Sequence, residues 1–114
     1  MAGIVTEESD LLNHRVFSMG SAAGVQFRSN LLLQPGARIP LHVHSYDHLA
    51  LITHGLFDVE QITPEGEIKR YRMASREWGL DLPQRVLIPA GHQHTFILLE
   101  ARNGPGEVLC LWGD

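Results

Sequence analysis

The chain has 114 residues, a length that suits one domain with its own hydrophobic core. Hydrophobic residues make up 44% of it and the formal charge is −4, with Lys69 as the single lysine, so it lacks the basic footprint of a nucleic-acid partner. No apolar run reaches the ~18 residues of a membrane helix, and the acidic stretch Glu7, Glu8, Asp10 is not expected to act as a secretory signal. With Cys110 alone no intrachain disulfide can form, which suits a cytoplasmic protein.

In chain order, residues 7–13 give the one helix candidate, a single turn. Everything after it reads as short strands: 15–18, 25–33, 41–44, 48–53, 56–63, 67–73, 86–88, 95–100 and 107–112. Turn residues separate them at Pro35-Gly36, Gly55, Pro64 to Gly66, Pro89 to Gly91 and Gly104 to Gly106. Many short strands with frequent turns predict an all-β antiparallel sandwich or barrel in a single domain spanning 1–114. Leu49 to Ile52 and Phe96 to Leu99 are apolar at successive positions, so both strand faces should be covered. A second copy of the chain is the simplest cover, and a homodimer is expected.

Four of the seven histidines cluster in sequence or by topology. His42 and His44, two residues apart on an expected strand, face the same way. His48 opens the next strand after a short turn. His94 follows the reversal at Pro89-Ala90-Gly91. Imidazole is the commonest protein ligand for transition metals, so His42, His44, His48 and His94 are the candidate metal ligands.

These segments resemble the two motifs of the cupin superfamily. In the first (36–55), Gly36, His42, His44, His48 and Gly55 fall at the family spacings, with His48 in a slot more often held by Glu. In the second (83–98), Pro89, Gly91 and His94 match, while Pro83 and Leu98 replace a Gly and an Asn. The resemblance implies a jelly-roll β-barrel of the small single-domain type, whose metal ligands map onto the same four histidines. Four neutral imidazoles would leave the full +2 on a divalent ion, making it a stronger Lewis acid than a site with one carboxylate. Such ligation suits Fe, Mn, Ni, Cu or Zn and disfavours Mg and Ca.

Around this cluster, Tyr46 and His54 are the candidate catalytic groups. Tyr46 or Asp47 could orient a ligand imidazole, with a solvated turn as the alternative; His54 keeps the strand parity of His48, with a strand-end histidine near Gly55 as the alternative. Arg28, Ile52, Phe96 and Leu98 are the candidate substrate-pocket residues, core packing and an outward-facing Arg28 being the alternatives. His14 and His92 read as surface residues, and Trp78, Trp112 and Cys110 as packing residues. The resemblance implies a metal-dependent oxidoreductase, similar to cupin dioxygenases acting on β-diketones and flavonols, working on a small, anionic or enolisable substrate. A non-catalytic metal- or ligand-binding protein and a metal-dependent lyase or isomerase are the alternatives. No cluster of Lys, Arg and Ser for a sugar phosphate is evident.

Overall fold

The computed structural model describes residues 2–3, 7–9 and 14–113. Among these residues, eleven strands run in the order β1 (Ala2–Gly3), β2 (Glu7–Ser9), β3 (His14–Ala22), β4 (Val25–Leu32), β5 (Arg38–His42), β6 (His48–His54), β7 (Leu56–Ile62), β8 (Ile68–Ala74), β9 (Arg85–Ile88), β10 (Gln93–Glu100) and β11 (Gly106–Gly113). One 3₁₀ turn, Arg76–Trp78, precedes β9.

Two antiparallel sheets result. The larger has the order β1-β3-β4-β11-β6-β9, with β2 also paired to β3; the smaller has the order β5-β10-β7-β8. No ladder joins the two sheets among the described residues, so the architecture is two facing sheets in a jelly-roll arrangement rather than one ring of strands. The expected all-β class holds. The expected helix does not: Glu7–Ser9 is a strand, with Glu7 opposite Val16 and Ser9 opposite His14, and residues 10–13 lie outside the described ones. The open edge of β3 offers that backbone a ladder of partners, which a single helical turn cannot match.

Strand alternation puts the core between the sheets. His48, Ala50 and Ile52 of β6 are buried, as are Phe57, Val59 and Gln61 of β7 and His94, Phe96 and Leu98 of β10. The intervening Leu49 and Leu51 are only partly covered, and Leu87 beside Leu49 on β9 is 61% exposed. The apolar outer surface read from the sequence is therefore present on the large sheet.

One end of the space between the sheets is packed shut. Gly55 takes a positive φ of 107° at the β6–β7 turn. A Cβ on Gly106 would lie 2.6 Å from Leu98 Cδ1 and 2.9 Å from Phe57 Cζ, so any larger residue there forces these buried side chains to shift. Gly106→Ala should cost about 1–3 kcal/mol of overpacking, read as a lower urea midpoint with metal affinity at the opposite end unchanged. Leu98, which stands where the second cupin motif has Asn, is 1% exposed and fills this plug.

Candidate metal centre

The other end is open, and there three strand ends meet. His42 is the last residue of β5, His48 the first of β6, and His94 the second of β10. His94 sits directly opposite His42 across the β5–β10 ladder, while His48, on the large sheet, faces them. Strand β5 starts earlier than expected and stops at His42, so His44 lies past its end and strand parity does not orient it. Its loop is nonetheless fixed. The Gly91 amide donates to the His44 carbonyl at 2.9 Å, and the Ala90 amide donates to Asp47 Oδ1 at 2.8 Å. Gly91 can make that turn because its φ is +82°. Asp47 is thus a loop anchor.

The four rings form one cluster. Ring centroids are 4.1 Å apart for His42 and His94, 4.7 Å for His42 and His44, 4.8 Å for His48 and His94, and 5.1 Å for His44 and His48. His42 Nδ1 lies 2.6 Å from the Pro40 carbonyl and His94 Nδ1 lies 3.0 Å from the His92 carbonyl. A carbonyl only accepts, so each Nδ1 carries the proton and each Nε2 keeps a lone pair. His94 Nε2 and both ring nitrogens of His48 are buried without a hydrogen-bond partner. Buried polar atoms left unmatched cost about 1–3 kcal/mol each, so a cluster of them calls for a ligand.

Nitrogens of His42, His44 and His94 lie within 4.8 Å of one another and could hold a metal ion. Two nitrogens bonded at about 2.1 Å to one ion are at most about 4.2 Å apart, so a bound ion would draw the trio in slightly. His48 stands outside this trio but touches it ring to ring. The donor set therefore fits a divalent transition metal.

Burial and mutual repulsion keep the rings neutral. Desolvation lowers the pKa of His42, the Pro40 hydrogen bond opposes it, and the Arg28 charge adds to the lowering. Desolvation, then His42 and Arg28, lower His44. His48 falls to about 4, through desolvation and then its histidine neighbours. His94 falls to about 3, mainly by desolvation and the His42 charge. Neutral imidazole is the form that binds metal.

The cluster opens into a cavity of ≈ 670 Å³ between the sheets. Arg28 lines it from β4, Val16 and Met19 from β3, Ile39 from β5 and Phe96 from β10. Arg28 thus lines the cavity rather than facing outward. Ile52 and Leu98, expected as pocket residues, do not line this cavity; both belong to the buried core. Each is four residues along its strand from a cluster histidine, about 13 Å away. Tyr46 lines the cavity, and burial raises its hydroxyl above the usual phenol value, so it is a proton donor there rather than a base. His54 does not reach the site. Its side chain is 61% exposed at the far end of β6, with Nδ1 3.9 Å from Glu107 Oε1. Parity held from His48 to Ile52 and failed at the strand end, where the β6–β11 register shifts at Glu107.

The sequence reading missed several cavity residues, among them His14, Asn30, Cys110 and Trp112. His14, expected at the surface, is 6% exposed and lines the cavity. Asn30 Nδ2 donates to the Val108 carbonyl at 3.2 Å, which turns Asn30 Oδ1 toward His14 Nε2 at 3.0 Å as an acceptor. The even-numbered parity it shares with buried Val16 was the available signal. Cys110 also lines the cavity, its thiol pushed up to about 12 by burial, so it is no nucleophile at neutral pH. His92 is part-buried, with Nδ1 2.8 Å from Gln61 Nε2, and Gln61 accepts from the Tyr71 hydroxyl at 2.9 Å.

The sequence matches no family model and no curated protein. Solved structures do resemble the fold. A single-substitution variant of Bacillus subtilis oxalate decarboxylase is 16% identical with a TM-score of 0.77, the match covering 100% of this chain and 29% of that one. The Lactobacillus farciminis oxalate decarboxylase formate complex is 15% identical with a TM-score of 0.75, covering 97% and 30%. The conserved SPY1581 protein of unknown function from Streptococcus pyogenes is 20% identical with a TM-score of 0.59, covering 89% and 73%. The chain spans under a third of the length of the oxalate decarboxylases. Oxalate decarboxylases are cupins, and the chain has the cupin fold. It carries, at the open end of that fold, a histidine cluster able to hold a metal ion.

Proposed function

We propose that this chain is a metal-dependent cupin oxidoreductase, dioxygenase-like in its chemistry, acting on a small anionic or enolisable organic substrate. The observation that carries this reading is the cluster of neutral, partly unmatched imidazoles opening onto a cavity that also holds Arg28. His42, His44 and His94 would hold the ion and His48 would be the fourth imidazole. An ion held by neutral ligands supplies Lewis acidity and redox chemistry. The protein's part is positional. Arg28 places positive charge in the cavity for an anionic group, Val16, Ile39 and Phe96 provide an apolar wall, and Tyr46 offers a hydroxyl donor at the mouth. No helix of the described residues is long and apolar enough to cross a membrane, and the lone cysteine suits the cytoplasm. The apolar outer face of the large sheet supports a homodimer.

Protein loaded in turn with Fe, Mn, Ni, Cu and Zn, then offered 1,3-diketones and enolisable acids, should consume O2 with at least one metal. Chelation should stop the uptake and metal should restore it. Uptake that is absent across the panel, with metal bound, would leave a binding protein. The fold likeness to oxalate decarboxylases favours a second reading, a metal-dependent carbon–carbon lyase. It would show as product formed without O2 consumption in the same assay.

A further inference from the structure

We propose that Tyr46 and Trp112 form an aromatic clamp that positions the His44 imidazole for metal. The inference rests on the metal-binding reading above and adds two positioning residues to it.

Three of the four histidines are placed by regular structure. His42 and His94 ride on paired strands and each is oriented by a carbonyl two residues earlier. His48 opens β6 and is buried at 2% exposure. His44 has neither support: it lies beyond β5, half-buried, in the bend that leads to β6. Its backbone is tied to Gly91, but one carbonyl contact leaves the side-chain torsions free.

What restrains the ring is stacking. The His44 ring lies 4.7 Å from the Tyr46 ring at an interplanar angle of 21°, and the Tyr46 ring lies 5.1 Å from the Trp112 ring at 23°. Tyr46 thus stacks with both the imidazole and the indole, linking the two. Trp112 is the fixed end of this stack. It belongs to β11 and is held opposite Gln26 in the ladder with β4. Near-parallel offset rings at these separations attract one another beyond the area they bury. Groups that orient a metal ligand typically change metal affinity by 10–100-fold when removed. The last strand of the chain thereby sets the geometry of a ligand in its middle.

The test is a Co2+ titration of the full chain followed by d–d absorption, together with imidazole proton NMR of the metal-free protein. Trp112→Leu should weaken Co2+ binding by about 10–100-fold and should shift the His44 ring protons, which lie in the ring current of Tyr46. Trp112→Phe keeps a stacking ring and should restore most of the affinity. Tyr46→Leu, in a loop rather than a strand, should weaken binding as Trp112→Leu does, which guards against a folding defect in β11. In a Trp78→Phe background Trp112 is the only tryptophan, and Co2+ should quench its emission with the same midpoint as the absorption change. Wild-type affinity in both leucine variants, or a Trp112→Phe protein as weak as Trp112→Leu, would overturn the clamp alone. Wild-type protein that binds no Co2+ would overturn the metal reading and the clamp with it.

Discussion

Alanine in place of His94 removes tight metal binding, with a loss larger than the ~10–100-fold that follows removal of a group behind a ligand. His94 has the strongest structural case of the four. It is 1% exposed, its Nδ1 is committed to the His92 carbonyl, and its Nε2 faces the cluster without a partner. His44→Ala should act in the same direction, since His44 belongs to the same trio. Calorimetric titration with a divalent metal at pH 7 measures both. His48→Ala separates two versions of the site. A matching loss makes His48 a fourth ligand, whereas near-normal affinity restricts the donors to His42, His44 and His94. The fold should survive His94→Ala, because removing one ring from a crowded neutral cluster relieves desolvation as well as creating space. Unchanged affinity in both His94→Ala and His44→Ala would mean that the ion binds elsewhere.

The strands were legible because their cues are local. Alternating burial with turn residues every few positions placed nine strands close to where they are found, and the motif spacings put His42, His48 and His94 at strand ends that meet. What was illegible depends on long-range facts. A two-residue periodicity cannot say where a strand stops, so it places His44 on-strand and leaves His54 open between inward and strand-end; the first lies past β5 and the second is at an exposed strand end. Depth along a strand is equally hidden: Phe96 and Leu98 share a face, yet only Phe96 lines the cavity while Leu98 meets Gly55 and Gly106. Burial of His14 follows from the pairing of β3 with β4, to which its shared parity with Val16 is the one cue, legible only once the strand is known to begin at His14.

The same crowding makes the metal-free protein acid-sensitive in a direction opposite to that of a histidine with an acidic partner. His48 and His94 hold folded-state values of about 4 and about 3, below the ordinary 6.5 that they regain on unfolding. Between pH 6.5 and 4 the unfolded chain therefore binds more protons than the native one. Stability must fall as pH drops through that window and level off above it. Each such histidine contributes a slope of up to about 1.4 kcal/mol per pH unit. Urea unfolding with a chelator present, from pH 7.5 to 4, should show the midpoint declining below 6.5, and His94→Ala should decline less steeply. A flat profile would show that the native cluster takes up protons as readily as free imidazole, and with it the neutral, metal-ready state would be lost. Added metal acts on the same balance. At 100 times its Kd an ion binding only the native state adds about 2.7 kcal/mol, raising Tm by several degrees in a domain of this size. Because protons compete weakly for the native rings, that gain should persist to about pH 5, where a cluster of ordinary histidines near 6.5 would already have been protonated.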